Sequence, residues 1–375
     1  MTDLEVLFLV LVGLYLSSAA HWYRGDAELF RSAGGAWRRA QPLAGFRGGQ
    51  LKVVFADLLP PLYGVAVCGA LPFRLSPAGI CAASGEAVSW EEVRLRTVEH
   101  SLYSGTTLLG RFRTEQLAEA SHERLQQISD SPAHQRERLI RRAMRAMFDV
   151  QWARERLDDF HRYARWPRRL ANAIFLWLFI VGPVSIQLLG LGITWLPLLA
   201  GAILLLGFSV GRFVRAHRRL YPREGGARFR QTLSMALSPP AAARAPDLLL
   251  IDLFAGLHPM AVAAVVLSPR EFTAYAGEML RAIRHPLAED LSEESQDIAR
   301  WHERELLAAA EEFASRQGLD VAKAYVVPEA QSPAVVAWCP RCRMQYVNDA
   351  DTCADCPGVA LVRYAAPVAT AANRQ

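Results

Sequence analysis

Residues 170–211 read LANAIFLWLFIVGPVSIQLLGLGITWLPLLAGAILLLGFSVG, forty-two positions without a charged side chain. A helix needs about 20 apolar residues to cross a bilayer. The run therefore accommodates two helices, Leu170–Leu189 and Ile193–Val210, with Gly190-Leu191-Gly192 as a tight turn. A soluble helix pair of this composition would have to be buried on all faces. Arginine stands on both sides of the run: Arg162, Arg165, Arg168 and Arg169 before it, Arg212, Arg215, Arg218 and Arg219 after it. The preference of basic residues for the cytoplasmic side places both flanks there and the turn outside. Trp166 and Trp195 stand where interfacial aromatics are expected.

Leu4–Ala20 is a third candidate span. A cleaved signal peptide is the rival reading, with Ser18-Ala19-Ala20 as the cleavage site. Asp3 and Glu5 argue against it, because a signal peptide starts basic. Cleavage would also export the arginines that flank the hairpin. The expectation is an uncleaved anchor with its N-terminus outside and Arg24, Arg31, Arg38 and Arg39 inside. Two weaker apolar stretches, Val53–Phe73 and Leu248–Leu267, carry Asp57 and Asp252. A carboxylate at a span centre costs about 2.5 kcal/mol or more. Both stretches read as buried or membrane-surface elements, and both aspartates become functional candidates if the stretches enter the bilayer. The two also share a loose pattern: Asp57-Leu58-Leu59 against Asp252-Leu253-Phe254, Leu62-Tyr63 against Leu257-His258, Ala66-Val67 against Ala261-Val262. Apolar matches arise cheaply, so a repeat is the weaker reading.

Composition agrees with a mixed architecture. Apolar residues make up 52% and charged residues 21%, too charged for a chain that is all membrane. The net charge of +5 gathers at the apolar spans, which favours an anionic lipid surface over nucleic acid. The fold expected is an α-helical membrane protein with α+β cytoplasmic regions and a small C-terminal metal-binding module. Its parts would be an anchor (1–20), a β-rich then helical region (21–166), the hairpin (167–214), a mostly helical domain (215–330) and the metal module with its tail (331–375).

Residues 74–112 have strand character with Gly and Pro turns. The run FRLSPAGI…GEAVSWEEVRL resembles the strand-turn-strand pattern of pleckstrin-homology-like modules, which implies a small lipid-proximal or protein-binding element. Glu115–Ile128 reads as a helix, ended by Ser129-Asp130-Ser131-Pro132. One long helix is expected from Ala133 towards Trp166, its arginines forming a solvated face. Residues 222–246, rich in Pro, Gly and Ala, read as a linker. Ser292–Gln317 is a helix stopped by Gly318.

Four of the six cysteines form two CxxC pairs, Cys339-Pro340-Arg341-Cys342 and Cys353-Ala354-Asp355-Cys356. Each pair places two thiolates on one tight knuckle, and two knuckles close a tetrahedron around one ion. Such a short segment cannot bury a stable core alone, and metal ligation supplies the missing folding energy. The tail WCPRCRMQYVNDADTCADCPGVALV (338–362) resembles a zinc ribbon with knuckles similar to those of rubredoxin. Ribbons of this type have Gly after the second cysteine of each knuckle. Here Arg343 and Pro357 stand there, with Gly358 one place late. Trp338, Tyr346 and Leu361 are the residues to pack beside the ion. The resemblance implies structural zinc, because four thiolates leave no open position for catalysis. Iron is the alternative, and would make the tail an electron carrier. Cys68 and Cys81 read as ordinary small buried residues.

Catalytic motifs fail one by one. Gly207-Phe208-Ser209-Val210-Gly211 matches GxSxG, but a nucleophile elbow needs a strand-to-helix turn, and this copy lies in an apolar helix. His302 and Glu305 are i, i+3 neighbours with metal-binding spacing, but on this charged helix packing inside a cytoplasmic domain is the preferred reading. The leading expectation is a non-enzymatic scaffold or interaction subunit of the cell inner membrane, C-terminus in the cytoplasm. Its partners would be the lipid bilayer and other proteins or further copies of the chain. The rival is a membrane enzyme or transporter with a polar site of Asp57, Tyr63, Asp252 and His258.

Overall fold

Helix follows the uncharged run but overshoots it at both ends. In the computed structural model, two helices among the described residues are long and apolar enough to cross a membrane: Arg165–Leu189 and Trp195–Leu220, the latter within helix Leu191–Leu220. Gly190 alone breaks the chain between them, at a φ of 76° that favours glycine. The first helix is not regular. Pro183 has no N–H for the carbonyl four residues back, and the turn Trp177–Val181 widens to π geometry, with the Gly182 N–H bonding to the Trp177 carbonyl. The Trp177 indole donates to the Leu198 carbonyl of the second helix at 3.0 Å. Its ring lies 2.3 Å from where a Cβ on Gly201 would stand, so only glycine fits there.

The structure describes residues 3–24, 27–33, 36–40, 44–46, 51–55, 64–69 and 71–364. The chain divides into two compact units, one of residues 1–72, 93–130 and 149–267, the other of residues 73–92, 131–148 and 268–375. Helices are mixed with small antiparallel sheets throughout, five sheets of three strands among the described residues. This corrects the expected α-helical membrane protein with three spans. The N-terminal helix Asp3–Ala19 does not qualify as the third. Its 17 residues rise about 26 Å, short of a hydrocarbon core of about 30 Å, and Ala20 already begins a strand.

The first unit holds the hairpin and three of the sheets. Leu51–Phe55 lies between Ala20–Arg24 and Ala44–Phe46, and Glu28–Ala33 lies between Ala36–Arg39 and Gly64–Cys68. Leu95–Val98, Ser101–Ser104 and Thr107–Arg111 form a meander. Leu29, Val65 and Val67 cluster with Ile251. The stretch 248–267 is a buried core element, including Leu249, Leu253, Phe254 and the helix Pro259–Val266. The expected linker is not one: residues 225–237 form a helix, followed by the short helix Pro239–Ala242. Arg244 and Asp247 are buried, with Nε and Oδ2 2.9 Å apart. The Arg244 Nη1 donates to the Tyr15 hydroxyl at 3.2 Å, and its guanidinium lies over the Tyr15 ring. One ion pair thus fastens the N-terminal helix. Arg156 donates to the carbonyls of Leu220 and Leu253, closing the C-terminal end of the second hairpin helix.

In the second unit, Gly79–Cys81 lies between Arg74–Leu75 and Ala87–Ser89. The run 74–112 is therefore no continuous module, since its two sheets fall in different units. The long helix expected from 133 to 166 breaks as well. Helix Ala133–Ala146 ends at Met147-Phe148, both buried, and Asp149 caps the next helix, Val150–Tyr163, by accepting the Trp152 N–H at 2.9 Å. A side-chain cap of this kind satisfies an orphan helix donor and marks the start of a separate helix. Helix Pro269–Arg284 carries a capping box, Ser268 with Glu271. Helix Glu293–Arg316 is capped by Ser292, and Gly318 follows its end at φ 78°. His302 is buried on this helix, and its Nδ1 accepts the Leu75 N–H at 3.1 Å.

Two outcomes are expected. Asp247→Ala leaves a buried guanidinium without its carboxylate and lowers stability by about 3–5 kcal/mol; thermal or urea unfolding measures the loss, and the double variant with Arg244→Met restores part of it. His302 has its pKa depressed to about 4 by burial and by Arg74. The neutral ring is the folded form, so its contribution is complete above the unfolded value near 6.5 and is lost as pH falls towards 4. His302→Asn offers an amide carbonyl to Leu75 without titrating. It should remove about 3 kcal/mol of the stability change between pH 7 and pH 4, read from unfolding curves of the two proteins.

Candidate metal centre

Each CxxC pair sits at the tip of a hairpin. In the ribbon, Ala337–Trp338 lies between Gln345–Tyr346 and Val362–Arg363. The first knuckle lies between the paired strands Ala337–Trp338 and Gln345–Tyr346, and the second between the bridged residues Thr352 and Ala360. Backbone bonds shape both. In the first, the Cys339 N–H donates to the Met344 carbonyl and the Arg343 N–H to the Cys339 carbonyl, both at 2.9 Å. In the second, the Cys353 N–H donates to the Val359 carbonyl at 3.0 Å and the Val359 N–H to the Cys356 carbonyl at 3.1 Å.

Comparison of the two knuckles accounts for the missing glycines. Each turn needs a left-handed residue before the chain returns to the sheet. Arg343 takes that position in the first at φ 64°, a strained choice for a residue with a side chain. In the second, Pro357 is an extra residue, and Gly358 takes the left-handed position one step later at φ 77°. The second knuckle is therefore the same turn lengthened by one residue. Gly358 has a second constraint: an added Cβ would lie 2.2 Å from the Ala288 Cβ.

The four thiols converge. The sulfurs of Cys339, Cys342, Cys353 and Cys356 all lie within 4.8 Å of one another, and those of Cys342 and Cys353 are 3.7 Å apart. A tetrahedron with metal–sulfur bonds of about 2.3 Å has edges of about 3.8 Å. The donor set therefore fits a four-coordinate metal ion. Cys339, Cys353 and Cys356 are buried with Val359, and Tyr346 and Leu361 pack against them, while Cys342 is exposed. Trp338 is buried in its strand.

Polar groups around the sulfurs favour the thiolate form at one of them. The Tyr346 hydroxyl donates to the Cys353 sulfur at 3.2 Å and accepts the Ala354 N–H at 2.9 Å. Burial alone would raise Cys353, but hydrogen bonds from Tyr346, Cys339, the Asp355 amide and Cys342 bring it down to about 7. The same bond to Cys353 raises Tyr346 to about 12, so the phenol stays a donor. Partial desolvation of its sulfur, with the hydrogen bonds to Cys339 and Cys353, pushes Cys342 up to about 11, although the residue is otherwise exposed. Four thiolates around a divalent ion carry two negative charges, and three arginines stand by the first knuckle. Arg341 donates to the carbonyls of Ala282 and His285 at the end of helix Pro269–Arg284. Arg343 donates to the carbonyls of Ala324 and Val326, and Arg281 to those of Ala324 and Arg341. These bonds dock the first knuckle on the helices of its own unit.

Among the described residues, the other sequence candidates take structural roles. Asp57 and Tyr63 lie outside the described residues. Asp252 is ion-paired with Arg113. His258 is buried as a helix cap, its Nδ1 accepting the Met260 N–H at 3.3 Å. Glu305 pairs with Arg141 while His302 takes the Leu75 amide. Ser209 of the GxSxG match lies inside helix Leu191–Leu220. Cys68 and Cys81 are singly buried in strands. Sequence reasoning named Tyr346 for packing but missed its hydrogen bond, and it gave no role to Arg281, Arg341 or Arg343. A hydroxyl close in sequence to a ligand was the available signal for the first; the arginines gave none.

No family model, curated protein or solved structure matches the chain.

Tyr346→Phe removes the donor to Cys353 and leaves the ring. A lost partner of a metal ligand typically costs 10–100-fold in affinity. A loss of about that size is expected in competition titration against a chromogenic chelator, with the ribbon still folded when metal-saturated.

Proposed function

We propose that this protein is a non-enzymatic interaction subunit held at the cell inner membrane by its helical hairpin, with a structural zinc ion in its C-terminal ribbon. The observation that carries the reading is the convergence of four cysteine sulfurs within 4.8 Å. A site filled by four thiolates has no position left for a water or substrate, so its use is to hold a small fold together. Zinc is preferred to iron because an electron carrier needs a redox partner, and the chain carries no motif for a second cofactor.

Two further observations support the setting. The apolar stretches of the hairpin helices are only 6% and 11% buried, and Leu188, Leu196, Ile203 and Leu204 point outward. In water this would be a large exposed apolar patch; in lipid it costs nothing. Arginines at both hairpin ends favour cytoplasmic flanks, and a cytoplasmic ribbon keeps its thiols reduced. For the docking role, the ribbon exposes Met344, Val347 and Val362. These are apolar side chains on a rigid metal-fixed surface, suited to a protein partner or a second copy.

Three measurements test the parts separately. Elemental analysis of protein purified without chelators should find about one zinc per chain, absent in Cys353→Ser with Cys356→Ser; iron with a red colour would replace zinc by the electron-carrier reading. The chain should stay with membranes through carbonate washing. Met344→Asp with Val347→Asp should keep the metal and abolish co-purification of partners. Unchanged partners would end the docking role.

A further inference from the structure

Helix Gly225–Leu237 is built inside out. Phe229, Leu233 and Leu237 recur at every fourth residue and form one stripe, and they are 68%, 46% and 77% exposed. The opposite stripe is Arg228, Gln231, Thr232 and Met235. Met235 is fully buried, and Arg228 Nη1, Gln231 Oε1 and Thr232 Oγ1 are sealed from solvent. This face belongs to a helix that packs on Leu191–Leu220. There too the inward residues include polar ones, Ser209 and His217, with Phe213 between them. Arg228 lies within electrostatic reach of His217.

An amphipathic helix in water turns its apolar stripe inward. Burying polar atoms while exposing three large apolar side chains reverses both terms of that balance, and each reversal is unfavourable in water. The balance changes sign if the outer face meets acyl chains: polar groups then turn inward, and apolar ones cover the outside. Charge points the same way. The helix carries no acidic residue, and its outward arginine is Arg230. Arg215, Arg218 and Arg219 of the preceding helix are exposed beside it in sequence, as is Arg230. Only residues 221–224 separate the two helices. Ile203, Leu204 and Phe208 of that preceding helix, on which Gly225–Leu237 packs, are exposed apolar side chains as well.

We propose that helix Gly225–Leu237 beds into an anionic phospholipid bilayer beside the hairpin, with Phe229, Leu233 and Leu237 among the acyl chains and the arginines at the phosphates. The proposal rests on the hairpin being embedded in lipid. It adds a segment that does not cross the bilayer, and it gives the inward polar groups of Arg228, Gln231 and Thr232 a membrane-shielded setting.

The test uses the full chain in vesicles of phosphatidylcholine and phosphatidylglycerol, with a solvatochromic amino acid placed singly at Phe229, Leu233 or Leu237, and at Ile203 as the hairpin control. Blue-shifted emission at all four sites, lost to doxyl-labelled lipid and insensitive to acrylamide, is the expected result. The three helix sites should shift back towards the red in vesicles of phosphatidylcholine alone. If Ile203 is quenched by doxyl lipid while the helix sites answer only to acrylamide, the proposal is overturned and the hairpin reading stands. Helix sites shielded from both quenchers are covered by protein, which also overturns it. If Ile203 itself is reached by acrylamide and not by doxyl lipid, the hairpin reading fails and the proposal with it.

Discussion

Apolar surface left uncovered is the constraint around which the first unit is organised. In helices Arg165–Leu189 and Leu191–Leu220, side chains such as Leu188, Leu196 and Leu204 are mostly exposed. The contacts between the two helices include an indole against a glycine and a hydrogen bond from Trp177 to the Leu198 carbonyl. Hydrophobic burial, the main favourable term in folding, is therefore missing along most of their length. The base of the hairpin is different. Phe213, Ala216, Leu220 and Tyr221 are buried, the Tyr221 hydroxyl donates to the Leu249 carbonyl, and Arg212 stacks on Trp166 and Phe208. Protein packing takes over where the uncharged run ends.

Two helices of similar length show how far the surroundings decide polarity. Pro269–Arg284 buries Phe272, Tyr275, Ala276 and Leu280, the i, i+3, i+4, i+8 stripe of a helix on a watery surface. Gly225–Leu237 presents its comparable stripe outward and keeps polar atoms inside. Both obey the same periodicity. The difference lies in which stripe each helix turns towards the protein.

The second unit meets a shortage of core by another route. Its ribbon has strands of two residues, too short to hold a sheet by ladder bonds alone. Four converging thiols replace the missing core, and Arg281, Arg341 and Arg343 tie the first knuckle to helix ends, where carbonyls lack intrahelical partners. Guanidinium groups suit this position twice over: they satisfy those carbonyls and oppose the negative charge of a tetrathiolate site. The strain of a left-handed Arg343 is offset by the two carbonyls its side chain reaches, Ala324 and Val326.

Cysteine spacing and the charge-free run were legible because each is a local signal whose physics needs no neighbour. Two CxxC pairs can meet one ion wherever the rest of the chain goes, and forty-two uncharged residues form helix in any apolar setting. The failures have one cause in common, which is that tertiary context assigned the faces. Residues 222–246 look like a linker because Gly225-Gly226 and Pro239-Pro240 bracket them, yet these residues mark the ends of a helix rather than the lack of one. The break at Asp149 needed a cap that competes with a long helical period. The run 74–112 had strand character throughout, but strand character does not say which sheet a strand joins. Leu4–Ala20 had the composition of a span and lacked the length, since Ala20 pairs with Phe55 instead of continuing the helix. Periodicity states which residues share a face. Which face is turned inward depends on what lies outside, and that is why Phe229, Leu233 and Leu237 cannot be placed from their spacing alone.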